Sequence, residues 1–152
     1  ESDEFGSRAG LGIINGPVVP FEGEDGRSDD SGYGNGETLK VPQVGWNRIF
    51  SPPEHQGNSN SEEPRENPWG GSCLAGLQDG EYMYFVHSFY PKPVDRGVVV
   101  STTGYGPIEF CSSLRFGNVF ACQFHPERSG PWGLRIYRNL AELITTPELV
   151  EA

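Results

Sequence analysis

Apolar and polar positions fall into blocks along this chain, and the blocks predict its elements. Leu11 to Phe21 is a β-prone run with Gly16-Pro17 as a break inside it. Lys40 to Phe50 carries Val41, Val44, Trp46, Ile49 and Phe50, and predicts a strand followed by a turn. Gly80 to Tyr90 is the strongest strand signal. Its Tyr82-Met83-Tyr84-Phe85-Val86 core is almost continuously apolar or aromatic, which predicts burial on both faces. Gly97 to Thr103 predicts the next strand through Val98-Val99-Val100. Glu109 to Leu114 and Asn118 to Phe124 predict a hairpin joined through Arg115-Phe116-Gly117. From Trp132 to Ile144, Leu134, Tyr137, Leu140, Ala141 and Ile144 recur at helical spacing. Pro131 suits the first helical position, with Ser129 or Gly130 as cap.

Two stretches have no such pattern. Glu22 to Glu37 is rich in Gly, Asp and Ser, and Ser51 to Gly71 is polar and Pro-rich; both read as long surface loops. The expected architecture is therefore α/β, with mixed or antiparallel strands, one C-terminal helix, and polar loops near 22–38 and 51–71. A complete doubly wound domain would carry more helices between its strands. Residues 1–152 are accordingly read as a partial domain, and Glu1-Ser2-Asp3-Glu4-Phe5-Gly6 reads like the interior of a longer protein.

Composition narrows the classes. The 21 glycines and 13 prolines of 152 residues stay below the share of ~25–30% that marks a disordered chain. A net charge of -10 with only 11 scattered basic residues argues against nucleic acid as partner. No apolar stretch approaches the ~18 residues of a membrane span, so no membrane partner is expected. Cys73, Cys111 and Cys122 are odd in number and lack CxxC spacing. That argues against a disulfide framework and a zinc site, and fits a reducing compartment such as the cytoplasm. Asp29-Asp30 and Glu62-Glu63 have no metal-ligand spacing and read as solvated charge; no metal and no cofactor is expected.

The candidate chemistry lies in Gln123-Phe124-His125-Pro126-Glu127. A histidine can accept a proton from a thiol and return it to a departing amine. A carboxylate on its other nitrogen fixes the tautomer. Residues two apart in an extended segment share a face, so His125 and Glu127 are expected side by side, with Pro126 stiffening the backbone. H-P-E alone is a short motif, and a histidine closing a buried strand beside a solvated glutamate fits it equally well. His87 ends an apolar strand and reads as a structural histidine, and His55 as a solvated one. Gly71-Ser72-Cys73-Leu74-Ala75-Gly76 mimics a nucleophile elbow. Its second Gly is one position late and no buried strand precedes it, so Cys73 reads as a loop thiol. Cys111 and Cys122 read as small core residues.

Wider context adds a resemblance. Asn118 to Ser129, with Gly133-Leu134-Arg135-Ile136-Tyr137-Arg138-Asn139 after it, resembles the end of class I glutamine amidotransferases. Val41-Pro42-Gln43-Val44-Gly45-Trp46-Asn47, Tyr84-Phe85-Val86-His87-Ser88-Phe89-Tyr90, and Ser2 to Gly6 with Gly10-Leu11-Gly12 narrow it further. Together these segments look like the glutaminase subunits of imidazole glycerol phosphate synthase. The resemblance implies a flavodoxin-like, doubly wound domain that hydrolyses glutamine through a Cys-His-Glu triad. It implies a (βα)8-barrel cyclase partner, separate or fused, that uses the ammonia in histidine biosynthesis. On this mapping His125 is the base and Glu127 its orienting partner. Ser88 and Phe89 line the glutamine site. Trp46 and Asn47 match a loop facing the cyclase, and Arg128 stands near it where the family usually has Lys. The family nucleophile sits on a G-x-C-x-G elbow. The first residues here match the stretch after it, so this polypeptide alone is expected to lack glutaminase activity and to be prone to aggregation through exposed sheet edges. The residues leave open an amidotransferase of another pathway, or a scaffold that kept the fold and lost the chemistry.

Overall fold

The computed structural model describes residues 1–4, 6–21, 39–52 and 68–145. The loop expected at 22–38 and most of that at 51–71 lie outside the described residues. So do His55, Asp29-Asp30 and Glu62-Glu63. Among the described residues, seven strands and one α-helix follow in chain order: β1 Val18–Pro20, β2 Gln43–Ile49, β3 Glu81–His87, β4 Phe89–Pro91, β5 Val99–Tyr105, β6 Ile108–Phe116, β7 Val119–Cys122 and α1 Gly130–Thr145. All pairings between these strands are antiparallel: β1 with β4, β2 with β3, and β5-β6-β7 as a meander. The second and third sheets meet where Phe50 and Thr102 exchange backbone hydrogen bonds of 2.8 and 2.9 Å. The Asn47 side-chain amide adds a bond to the Gly104 carbonyl at 2.8 Å.

The strand expected from Leu11 shrinks to the three residues of β1. Leu11 and Ile13 are exposed and have no face to bury, so only the residues opposite β4 enter a ladder. The β6–β7 turn falls on Gly117-Asn118, because Phe116 pairs with Val119. A two-residue hairpin loop needs positive φ, and Gly117 supplies it at +54°.

Burial of β3 corrects the two-faced expectation. Met83, Phe85 and His87 point inward, whereas Tyr82 and Val86 are 46% and 40% exposed. The inward residues meet Phe21, Tyr90, Phe110 and Phe124 in one aromatic core, with ring centroids 4.9–5.9 Å apart. Burying each such ring contributes roughly 1.5–3 kcal/mol, so this cluster dominates the packing. Trp69 belongs to the core as well, although its neighbourhood reads as a polar loop. Its ring is buried and its indole N–H donates to the Val100 carbonyl at 2.9 Å.

The helix forms where its periodicity predicts, but rotated. Gly133, Ile136 and Asn139 are buried, with Leu140 and Leu143 packed on the core. Leu134, Tyr137 and Ile144 face outward. One polar anchor and one close approach set this rotation. The Asn139 amide donates to the carbonyls of Cys73 and Ala75 at 2.9 and 2.8 Å. Gly133 lies so close to the preceding turn that a Cβ there would come within 2.0 Å of the Pro126 carbonyl oxygen.

Candidate active site

His125 is placed by β3. Its backbone N–H donates to the Tyr84 carbonyl at 2.8 Å, which lays the segment after β7 along the strand's free edge. The chain then turns instead of extending. Pro126–Arg128 form a single 3-10 turn, with Arg128 N–H donating to the His125 carbonyl at 3.0 Å and Ser129 N–H to that of Pro126 at 3.0 Å. Proline suits the first position of such a turn because its missing N–H has no partner to lose. The turn curls Glu127 back, so its Oε1 accepts from Nδ1 of His125 at 2.8 Å. The expected contact therefore exists, but a 3-10 turn makes it, not an extended strand.

The electrostatics favour one arrangement. The backbone N–H of Glu127 itself, followed by His125, holds the Glu127 carboxyl below its ordinary value. An ionised carboxylate only accepts hydrogen bonds, so Nδ1 of His125 is the donor in this contact and Nε2 is the ring nitrogen it leaves unengaged. Both side chains are about half exposed, at 42% and 52%, so an incoming group can reach the ring.

His87 differs. It is buried between Phe21, Phe85 and Phe110, and its Nδ1–H donates to the Phe89 carbonyl at 2.8 Å. Its Nε2 is buried without a partner, as is Oε1 of Gln43 directly across the β2–β3 ladder. Burial holds the His87 pKa below the ordinary imidazole value, against the opposing pull of the Phe89 carbonyl. It is a structural histidine, as its position in the sequence suggests.

None of the three cysteines is poised as a nucleophile. Cys73 is buried in a run of turns, with its thiol pushed up by burial. Burial likewise pushes Cys111 up to about 12 and Cys122 to about 11. A thiolate, not a thiol, attacks carbonyl carbon.

Ser88 and Phe89 lie at the break between β3 and β4, both half-buried. Their carbonyls already accept from Phe21 N–H at 2.9 Å and His87 Nδ1–H at 2.8 Å. Trp46 and Asn47 lie on strand β2, not on a loop. Trp46 projects outward and packs edge-on to Tyr84, with ring centroids 5.9 Å apart. Arg128 sets its guanidinium 4.4 Å from the centre of the same Tyr84 ring. Asn47 is committed internally, to Gly104 and to the Arg48 N–H. Sequence reasoning missed Tyr84, the residue that joins His125, Arg128 and Trp46. The alternation of Val44, Trp46 and Arg48 against Gln43, Gly45 and Asn47 was the available signal. With Tyr82 and Val86 these residues form an exposed, largely apolar outer face on β2 and β3.

A cleft of about 430 Å³ lies elsewhere, lined by Trp69, Gly71, Val98, Val100 and Arg115 among others, and touches none of these candidates. Among the described residues no cluster of His, Cys, Asp or Glu could hold a metal ion, and no helix is long and apolar enough to cross a membrane.

A histidine–glutamate turn between an antiparallel sheet and a closing helix fits the resemblance to class I glutamine amidotransferases. Comparison with known proteins makes this specific. The chain is 41% identical over 143 residues to imidazole glycerol phosphate synthase subunit HisH of Syntrophotalea carbinolica, covering 94% of this chain and 58% of that protein. The HisH subunit of Geobacter metallireducens is 41% identical over 142 residues, covering 93% and 56%. That of Pyrococcus furiosus is 33% identical over 143 residues, covering 94% and 58%. No protein-family model matches the chain. Over the matched residues the chain belongs to the HisH family of imidazole glycerol phosphate synthase subunits. It spans little more than half the length of these curated relatives.

Proposed function

We propose that the full-length protein carrying this chain hydrolyses glutamine to glutamate and ammonia for a cyclase partner in histidine biosynthesis. The observation that carries the reading is the 2.8 Å contact between His125 Nδ1 and Glu127 Oε1 on an accessible turn. His125 Nε2 takes the proton from a cysteine thiol, and the thiolate adds to the amide carbon of glutamine. The resulting imidazolium returns that proton to the nitrogen as the C–N bond breaks and ammonia leaves. His125 then deprotonates water, which attacks the thioester and releases glutamate. Glu127 stabilises the imidazolium at each stage, as the orienting carboxylate of a triad does. The thiol comes from outside residues 1–152, because burial disfavours the thiolate of all three cysteines present.

Residues 1–152 form part of one amidotransferase domain, and Ser88 and Phe89 border the glutamine site. Trp46 and Arg128, both packed on the Tyr84 ring, face the (βα)8-barrel cyclase, with Asn47 bracing the Trp46 strand against β5. Three free thiols fit the reducing cytoplasm. The experiment is glutamine-dependent ammonia release by the full-length protein with its cyclase. His125→Ala should abolish it, and activity equal to wild type in that variant defeats the reading.

A further inference from the structure

Tyr84 and His125 are joined by a single backbone hydrogen bond. His125 N–H donates to the Tyr84 carbonyl at 2.8 Å, but Tyr84 N–H does not reach back to the His125 carbonyl. Ser129 Oγ stands between them. It accepts from Tyr84 N–H at 3.0 Å and donates its hydroxyl proton to the His125 carbonyl at 2.7 Å. The hydroxyl thus ties the turn at His125 to β3, and Ser129 is sealed from solvent at 2% exposure. The sequence suggested Ser129 as a helix cap, but its oxygen is spent on this bridge.

We infer that Ser129 is a positioning residue for His125: its hydroxyl props the His125 carbonyl away from β3, and so keeps the 3-10 turn that holds Glu127 on the imidazole. Without that oxygen, Tyr84 N–H is left short of a partner, while the His125 carbonyl keeps the Arg128 N–H of the turn. An unpaired, part-buried N–H is costly, so Tyr84 N–H draws the His125 carbonyl toward itself and away from Arg128. Taking that carbonyl from Arg128 N–H loosens the turn and carries Glu127 off Nδ1. The close seat of Gly133 under Pro126 prevents the helix from following. The inference rests on the functional reading above only for its kinetic consequence; the geometric consequence belongs to the turn itself.

The test compares Ser129→Ala and Ser129→Gly, two variants that remove the hydroxyl without adding bulk. In the full-length protein with its cyclase, either folded variant should lose about 10- to 100-fold in kcat for glutamine hydrolysis, with KM within twofold. Displacing a reacting group by ~1 Å has an effect of that size. The ¹⁵N shifts of the His125 ring should move from a single Nδ1–H tautomer to a mixture, which a loss of stability alone would not produce. A kcat within twofold of wild type, or an unaltered tautomer, overturns the inference. His125→Ala in the same assay separates the two claims. If that variant is inactive while Ser129→Ala is not, the positioning role fails and the function stands. If His125→Ala is fully active, the functional reading fails.

Discussion

His87 and His125 stand close enough that a charge on His125 opposes a charge on His87, yet they are built for opposite tasks. His87 gives Nδ1–H to a backbone carbonyl, and its other nitrogen is walled in by aromatic rings. His125 gives Nδ1–H to a carboxylate, and its ring is open to solvent. A carbonyl partner with burial keeps an imidazole neutral. A carboxylate partner with exposure fixes the tautomer and leaves the other ring nitrogen open to an incoming group. Histidine identity decides neither outcome; the group on Nδ1 and the access to Nε2 do.

The sharpest way to break this contrast is to remove each histidine. On the proposed reading, His125→Ala lowers glutamine hydrolysis by the full-length protein by about 10⁴–10⁶, as for one member of a triad that acts as a unit. His87→Phe, which keeps a ring in the Phe21–Phe110 cluster, should leave kcat within a few-fold. Steady-state kinetics on the two variants checks both.

Next in size is the carboxylate. Glu127→Gln keeps the shape but lets the side chain donate, so Nδ1 can lose its proton and the tautomer is no longer fixed. The expected loss in kcat is about 10²–10⁴, by analogy with the same change in a serine-protease triad. The pH profile of the variant against wild type shows whether the loss follows histidine protonation.

A smaller effect tests the turn against the helix. Gly133→Ala places a methyl group against the Pro126 carbonyl, and overpacking of this kind costs about 1–3 kcal/mol. Denaturant titration reads this directly.

The smallest effect concerns His87 and pH. Its folded pKa lies below the unfolded value of 6.5, so the unfolded chain binds the extra proton first as pH falls. Its neutral burial carries no penalty well above pH 6.5. The penalty grows as pH drops through 6.5 toward the lower folded value. His87→Phe should flatten that part of the stability curve, measured as melting temperature between pH 7.5 and pH 5.

Much of this molecule could be read from pattern. The apolar residues from Lys40 to Phe50 marked β2, and the runs around Val99 and Phe110 marked β5 and β6. What escaped was set by contacts distant in sequence. The rotation of α1 follows from Asn139 binding Cys73 and Ala75 carbonyls, and no local periodicity encodes a partner more than sixty residues away. Trp69 is core because Val100 offers a carbonyl to its indole. The exposed outer residues of β3 look like core residues in sequence, since a strand buried on both faces and an apolar docking face share one composition. At the site, H-P-E spacing announced the His125–Glu127 contact. The 3-10 turn and the Ser129 bridge depend on where Tyr84 sits, and the sequence does not say.

The central claim is that His125 and Glu127 activate a thiol other than Cys73, Cys111 and Cys122. Labelling the full-length protein with a glutamine-like diazoketone, which alkylates an attacking thiolate, and mapping the adduct by mass spectrometry tests it most directly. The account predicts one adduct, on a cysteine outside residues 1–152, lost in His125→Ala. An adduct on any of those three cysteines, or one that forms equally well without His125, contradicts it.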